Sequence, residues 1–215
     1  LQEIPSEYML LSEKIITYAK SELGKKLNES IFISLTDHIN STIDRYKNGI
    51  QLKNALLWDI KRLYKDEFCI GVEALKMIKE DLNIELPEDE AAFIALHIVN
   101  AELNEEMPNL MNMTKVMQEI LNIVKYHYRI DFDEESLSYY RFITHLKFFA
   151  QRLFNGKTYT DKDDEIYDMI KIKYPIAHEC VKKVEKFIKE KYTYDLTKEE
   201  KLYLMIHIQR VTENK

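Results

Sequence analysis

The chain has 215 residues, of which 46% are hydrophobic and 32% charged, and its formal net charge is −6 at pH 7. The excess of acidic residues argues against nucleic-acid binding by this chain on its own, because contacts to phosphates need clustered Lys and Arg. Gly and Pro number only four each, which indicates long helices with few turns.

The cysteines and the apolar residues indicate a cytoplasmic protein without membrane insertion. No apolar run approaches the roughly 18 residues that a membrane-spanning helix needs. Cys69 and Cys180 are too few for a disulfide framework, and free thiols fit a reducing cytoplasm. The chain does not begin with Met, which suggests a fragment that has lost an N-terminal part.

Apolar residues recur every three or four positions along most of the chain, which is the period of an amphipathic helix. The pattern is clear in Ile31, Leu35 and Ile39. We therefore predict ten helices and no strand. The predicted ranges are 6–23, 30–48, 52–65, 70–83, 88–102, 112–129, 134–155, 163–173, 177–191 and 198–212.

Several sequence signals mark the ends of these helices. Asn48-Gly49 and Asn155-Gly156 read as helix stops, because Asn and Gly tolerate the left-handed backbone conformation. A linker is predicted at 104–112, where a proline and polar residues interrupt the helical pattern.

The last predicted helix opens with a capping box, since Thr197 is followed three residues later by Glu200. Pro87 and Glu90 occupy the equivalent positions before the fifth helix.

The chain repeats itself. Leu86-Pro-Glu-Asp-Glu-Ala-Ala-Phe-Ile-Ala-Leu-His97 reappears as Leu196-Thr-Lys-Glu-Glu-Lys-Leu-Tyr-Leu-Met-Ile-His207. Upstream, His38 and His145 are each followed at identical spacings by Arg, Asn and Gly. The repeat predicts an all-α protein of two tandem homologous helical bundles of about five helices each, with domains at 1–107 and 108–215.

Each repeated histidine lies on an apolar helix face with a charged residue two turns away. Glu90 precedes His97, and the same spacing separates Glu200 from His207. The upstream histidines are followed instead by arginines, Arg45 after His38 and Arg152 after His145. Both arginines are candidate phosphate contacts, because a guanidinium can donate two parallel hydrogen bonds to phosphate oxygens.

The spacing of the histidines argues against metal binding and catalysis. No histidine has an acidic residue three positions before it and no His pair has the His-Glu-x-x-His spacing, so no metal site, no cofactor and no catalytic residue is predicted. His127 and His178 have no counterpart in the other copy and are interpreted as structural or solvent-facing. A neutral imidazole is a good nucleophile near pH 7, which leaves phosphoryl acceptance as the favoured chemistry.

At these residues the chain resembles the paired PTS regulation domains (PRD) of the BglG/SacY family of bacterial transcriptional antiterminators, and is most similar to the LicT-type branch that controls β-glucoside use. The resemblance covers nearly the whole chain. Besides the two repeated segments, it is carried by Ser34-Leu-Thr-Asp-His38-Ile-Asn and Tyr140-Arg-Phe-Ile-Thr-His145-Leu-Lys-Phe-Phe-Ala-Gln-Arg-Leu-Phe.

The resemblance implies a regulatory module rather than an enzyme. Four phosphorylation sites follow from it: His38 and His97, targets of negative control through a sugar-specific enzyme II, and His145 and His207, phosphorylated by HPr with activating effect. It further implies a homodimer that phosphorylation shifts between a loose and a compact arrangement, with the unmodified dimer in the loose one. RNA would be bound only through an N-terminal domain that is absent from this sequence.

Three alternatives stay open at this point. The chain could instead be the regulation domains of a phosphotransferase-controlled DNA-binding transcriptional activator. From a different class, it could be a helical metal-dependent phosphohydrolase. A passive helical dimerisation scaffold with structural histidines is a third reading.

Overall fold

The structure, a computed structural model, describes residues 4–104, 107–155 and 164–213. Within these ranges it consists of ten α-helices and contains no strand, which confirms the predicted all-α fold class. The helices are α1 (Ser6–Leu23), α2 (Ser30–Lys47), α3 (Leu57–Leu63), α4 (Lys65–Leu82), α5 (Glu88–Leu103), α6 (Met107–Tyr128), α7 (Leu137–Asn155), α8 (Asp164–Lys173), α9 (Pro175–Tyr192) and α10 (Lys198–Thr212).

The chain divides into two compact units, Leu1–Met111 and Asn112–Lys215, which we call unit 1 and unit 2. In unit 1, α4 and α5 share the most extensive contact, and α2 packs against both α1 and α5. In unit 2, α10 contacts α7, α8 and α9. The two helices that carry the repeated histidines are therefore neighbours within each unit: α2 and α5 in unit 1, α7 and α10 in unit 2.

The amphipathic faces read from the sequence form the cores of these units. Ile31, Leu35 and Ile39 on α2 are almost fully buried. The apolar residues predicted to share one face of α6 are also buried, namely Met113, Met117, Ile120, Leu121 and Val124. Burial of such faces, at roughly 25 cal/mol per Å² of apolar surface, is the main term that stabilises helices of this length.

The predicted helix stops and the capping box have clear structural counterparts. α2 ends at Lys47, and Gly49 adopts the left-handed conformation with φ +71°, as its sequence signal indicated. α7 ends at Asn155, while Gly156 lies outside the described residues. At the start of α10 both hydrogen bonds of the predicted capping box are present.

The boundary between α3 and α4 differs from the prediction. The predicted helix 52–65 is only the short α3, and α4 begins at Lys65 instead of 70. The Asn54 side chain accepts a hydrogen bond from the Leu56 N–H at 2.9 Å, and Asp89 accepts one from the Asn54 N–H at 2.7 Å. These side-chain bonds satisfy the backbone without a helix, so the segment before Leu57 stays non-helical.

The starts of α6 and α7 also differ from the predicted ones. α6 begins at Met107, so most of the predicted linker is helical and Pro108 lies in the first turn, where the N–H that proline lacks would have no intrahelical partner anyway. α7 begins at Leu137 rather than 134, because Ser136 Oγ accepts the Tyr139 N–H and a turn from Asp133 precedes it. The start of the predicted helix 163–173 falls at 163, outside the described residues.

Candidate functional site

The histidine pair of unit 1 lies where α2 and α5 pack together. His38 on α2 and His97 on α5 face each other, with ring centroids 4.8 Å apart and ring planes tilted by 42°. His38 also lies beside Phe93, at a centroid separation of 5.8 Å. Two helices that are distant in sequence thus bring two imidazoles into one site.

A buried carboxylate is bonded into this pair. Glu90 Oε2 lies 3.2 Å from His38 Nε2 and accepts a hydrogen bond from Thr42 Oγ1 at 3.1 Å. Glu90 Oε1 lies 3.5 Å from Arg45 Nη2, which also donates a 2.7 Å hydrogen bond to Thr42 Oγ1. Burial raises the pKa of Glu90, but the hydrogen bonds from His38 and Thr42 and the positive charge of Arg45 outweigh it and hold the pKa below its usual value. Glu90 is therefore an anion in this network.

His97 is the more enclosed histidine of unit 1. Its Nδ1 is buried and has no hydrogen-bond partner among the described residues. Burial, and secondarily the charge of His38, lowers the pKa of His97 to about 3. The imidazole of His97 is consequently neutral at physiological pH.

The histidine pair of unit 2 is stacked more closely. The rings of His145 on α7 and His207 on α10 have centroids 3.9 Å apart and planes 29° apart. The ring of Tyr203 also stacks with His145, at a centroid distance of 6.1 Å. His145 is exposed, whereas His207 is 8% exposed. One imidazole of this pair faces solvent and the other faces the core.

Both imidazoles of unit 2 favour the neutral form. Burial and then the charge of Arg152 lower the pKa of His145. Burial, followed by the charges of His145, Arg210 and Arg141, lowers the pKa of His207 to about 4. A neutral imidazole keeps one nitrogen lone pair, which is the requirement for a nucleophile.

The glutamate of unit 2 has a different set of partners from its equivalent in unit 1. Glu200 Oε2 accepts a hydrogen bond from the Thr197 N–H at 3.1 Å, and Tyr194 Oη lies 3.1 Å from both carboxylate oxygens. Arg152 Nε is 3.7 Å from Glu200 Oε1. Burial and the Glu200 charge together raise the pKa of Tyr194 to about 12. Glu200 is thus bonded toward the start of α10.

The free space beside the two pairs differs. In unit 2 a cavity of about 270 Å³ opens beside both histidines. Its lining combines aromatic and charged side chains, among them Phe142, Phe148, Phe149, Arg152 and Tyr203. The corresponding space in unit 1, between His38, Thr42 and Glu90, is too small for a water molecule. Unit 2 therefore has an accessible site and unit 1 a filled one.

The sequence named the four histidines and the two arginines as candidates, and the structure brings each histidine together with its partner in the same unit. Each arginine reaches the glutamate of its unit, Glu90 or Glu200. The sequence places these glutamates two turns before His97 and His207, but only a capping role for Glu200 was predicted, and no role at the histidines. Thr42 and Tyr194 were not predicted as parts of the site, because their contacts to Glu90 and Glu200 are made between different elements of the fold.

The other two histidines have separate surroundings. His178 Nε2 lies 3.4 Å from Tyr167 Oη, and the ring of His127 lies edge-on to Tyr128 at 5.1 Å. Burial is the main cause that lowers the pKa of each. In the part of the chain that the structure describes, there is no group of three or more His, Cys, Asp or Glu side chains that could hold a metal ion.

We expect stability to fall as the pH drops below about 6.5, with His207 as one cause. The unfolded chain binds a proton at His207 near pH 6.5, while the folded chain resists it until about pH 4. Because the folded pKa is the lower one, the contribution is complete above the unfolded pKa and is lost as the pH falls toward the folded pKa. At about 1.4 kcal/mol per pH unit, His207 accounts for about 2 kcal/mol between pH 7 and pH 5.

Urea unfolding of the wild type and of His207→Gln at both pH values measures this contribution. The variant should show a loss between pH 7 and pH 5 that is smaller by about 2 kcal/mol. Equal pH dependence in wild type and His207→Gln would contradict the assignment.

Comparison with known proteins places these histidine pairs in a family. The PRD domain pattern matches residues 13–101 and 118–211, which is one match in each repeat. No helix among residues 4–104, 107–155 and 164–213 is long and apolar enough to cross a membrane.

Several relatives match over most of their length. The chain is 63% identical over 213 residues to Transcription antiterminator LicT of Bacillus subtilis (strain 168), covering 99% of this chain and 77% of the relative. It is 49% identical over 211 residues to the Beta-glucoside operon antiterminator of Dickeya chrysanthemi, covering 98% of this chain and 75% of the relative. Among solved structures, a crystal structure of GlcT CAT-PRDI is 37% identical with a TM-score of 0.46, covering 47% of this chain and 61% of that chain.

Both the pattern match in each repeat and the identity to these relatives exceed what a shared helical fold alone would give. The chain is a tandem pair of PRD domains and belongs to the family of PRD-containing transcription antiterminators.

Proposed function

We propose that this chain is the regulatory part of a cytoplasmic transcriptional antiterminator, switched by phosphorylation of His38, His97, His145 and His207. The observation that carries the proposal is the pairing of the repeated histidines across helices in both units, with an arginine and a glutamate beside each pair. Its relatives are named as antiterminators, which supports the same role here.

The chemistry of the pairs suits a phosphoryl acceptor. His97 and His207 are neutral at pH 7, so each has a lone pair for attack on phosphorus. In unit 2 the cavity of about 270 Å³ gives a phosphoryl group a way in, and Arg152 lines it. A guanidinium at this place can bind the phosphate oxygens once they arrive.

A phosphoryl group carries enough charge to operate a switch. It adds about −1.5 to −2 charges at pH 7. Moving a two-state equilibrium from 1:99 to 99:1 takes about 5.5 kcal/mol. Two phosphates of charge −2 about 8 Å apart would repel each other by roughly 8 kcal/mol at an effective dielectric constant near 20. Addition or removal of one phosphate per unit can therefore drive a homodimer between loose and compact arrangements.

The partners follow from this role. HPr and a sugar-specific enzyme II donate the phosphoryl groups, HPr to His145 and His207 with activating effect and the enzyme II to His38 and His97. The chain pairs with a second copy, and RNA is bound by a domain outside this sequence. In this proposal the chain transfers no group onward to a small molecule and is not an enzyme.

The first test is the intact mass of the chain after incubation with Enzyme I, HPr and phosphoenolpyruvate. We expect acid-labile phosphorylation in the wild type and at least a tenfold lower extent in the His145→Ala/His207→Ala variant. His127→Ala/His178→Ala removes two histidines from the same unit that lie outside the pair, and should be phosphorylated like the wild type. No mass change while HPr itself becomes phosphorylated, or acid-stable modification, would sink the proposal.

A further inference from the structure

The two glutamates that precede the paired histidines occupy equivalent positions but point to different partners. Glu90 and Glu200 each stand two turns before the second histidine of their unit, in the first turn of α5 and α10. The carboxylate of Glu90 is bonded to the first histidine, His38, whereas that of Glu200 is bonded to the start of its own helix. The two repeated units therefore differ in the hydrogen-bond partners of this glutamate.

The residue at the helix N-cap accounts for the different directions. The N-cap of α10 is Thr197, whose backbone N–H donates to Glu200 and whose hydroxyl accepts from the Glu200 N–H. The N-cap of α5 is Pro87, which has no N–H to donate and forms no side-chain cap bond. A reciprocal capping box is therefore possible for Glu200 and impossible for Glu90.

The α2 and α7 helices reinforce the difference. Thr42 on α2 donates its only hydroxyl hydrogen to Glu90 and accepts from Arg45. The equivalent position on α7, four residues after His145, is Phe149, which lines the cavity and offers no hydrogen bond. Glu90 is thus held by a hydroxyl and a guanidinium from α2, whereas the hydroxyl that binds Glu200 belongs to Tyr194, before the start of α10.

This network fixes where the proton of His38 resides. A carboxylate can only accept, and Thr42 Oγ1, having donated to Glu90, can also only accept from His38 at 3.5 Å. His38 Nε2 therefore bears a hydrogen and cannot attack phosphorus, and the lone pair of the neutral ring is on Nδ1. His145, by contrast, is exposed to solvent, and the glutamate of its unit is bonded to Tyr194 and to the Thr197 N–H.

We propose that Pro87, by leaving Glu90 free to bond His38, blocks His38 as a phosphoryl acceptor at Nε2, while Thr197 holds Glu200 aside and leaves His145 accessible. This inference rests on the proposed function. Glu90 acts as a specificity-determining residue, because it occupies with like charge the place next to His38 Nε2 that the phosphoryl oxygens would take. A donor for unit 1 must first displace Glu90 from His38.

The transfer itself balances only after that displacement. The N–P bond of the donor phosphohistidine breaks and its electron pair returns to the donor nitrogen. A lone pair of His38 Nε2 forms the new N–P bond. The hydrogen on Nε2 must move to Nδ1 or to solvent before the attack. The Glu90 carboxylate then accepts hydrogen bonds from Arg45 or from water instead of from His38.

The Pro87→Thr variant tests the inference, because it restores the N–H and hydroxyl of a capping box at α5. Nitrogen-15 NMR of the imidazoles reports the protonated nitrogen of His38 without any phosphoryl donor. In the wild type we expect a protected Nε2–H. In Pro87→Thr its exchange with water should accelerate about tenfold, the typical effect of losing a hydrogen bond to a charged group. Pro5→Thr, the same substitution at the N-cap of α1, is the matched control and should leave His38 unchanged.

A second arm measures phosphorylation at each site by peptide mass spectrometry with phosphorylated HPr as donor. We expect the rate at His38 relative to His145 to rise about tenfold in Pro87→Thr and to stay constant in Pro5→Thr. If the NMR change appears but no histidine is phosphorylated in any variant, the proposed function fails. The hydrogen bond between Glu90 and His38 and its control by residue 87 would still be supported. A wild-type His38 that lacks the Nε2–H, or no NMR change in Pro87→Thr, would overturn the inference whatever the phosphorylation result.

Discussion

A Gly71→Ala variant is expected to lose about 3 kcal/mol of unfolding free energy in unit 1. A Cβ atom at residue 71 would lie 2.2 Å from the backbone oxygen of Ala91 and 2.9 Å from its carbonyl carbon, so α4 and α5 would have to move apart. Overpacking typically costs about 1–3 kcal/mol, and more where no flexible side chain can give way. Replacing glycine in a helix returns only about 1 kcal/mol of helix propensity.

The predicted loss at Gly71 should appear in calorimetry as a lowering of the melting temperature by about 10 °C or more, given the size of the unit. Gly49→Ala provides the control, because φ is +71° there but nothing lies within 4 Å of the added Cβ. That variant should lose only about 1 kcal/mol from left-handed backbone strain. A Gly71→Ala protein as stable as Gly49→Ala would show that α4 and α5 are not in contact at this point.

Replacing Glu200 by Ala should destabilise unit 2 by about 3 kcal/mol. The side chain of Glu200 is 0% exposed and accepts hydrogen bonds from Tyr194 and from the Thr197 N–H. Its removal leaves these partly buried donors without their acceptor and breaks half of the capping box, which alone contributes about 1 kcal/mol. Loss of one partner of a buried charge pair, here with Arg152, adds to the cost.

Urea unfolding of Glu200→Ala, Glu200→Gln and Glu199→Ala distinguishes these contributions. Glu199 stands in the same helical turn but is only half-buried, so its replacement should cost less than about 1 kcal/mol. Glu200→Gln keeps the shape and an acceptor oxygen and should fall between the two. If Glu200→Ala and Glu199→Ala were equally stable, the buried network around Tyr194 would not contribute to the fold.

The helices were predictable because their cause is local. Residues such as Ile31, Leu35 and Ile39 recur with the helical period, and the capping box at Thr197 and Glu200 needs only four neighbouring residues. The prediction was wrong where a distant group intervened, as at the start of α3, where Asp89 binds the backbone of Asn54. No sequence pattern within residues 52–65 predicts the hydrogen bond between Asn54 and Asp89.

The histidine sites divide in the same way. Equal spacing in the two repeats is visible in the sequence, and it identified His38, His97, His145 and His207 as related positions. The distances of 4.8 Å and 3.9 Å between the rings depend on how two helices pack, which a spacing along the chain does not contain. The capping-box contact between Glu200 and Thr197 was predictable, but the contacts of Glu90 with α2 and of Glu200 with Tyr194 depend on the tertiary structure.

By itself the sequence determined an all-α chain of two repeats, the family to which it belongs and the four histidines at equivalent places, because periodicity, capping and duplication are recorded residue by residue. Only the tertiary structure decided that Glu90 fills the space beside His38 while a cavity of about 270 Å³ opens beside His145. The physical reason is that a buried carboxylate takes whichever donors the packed helices present to it, and those donors come from α2 in unit 1 and from the start of α10 in unit 2.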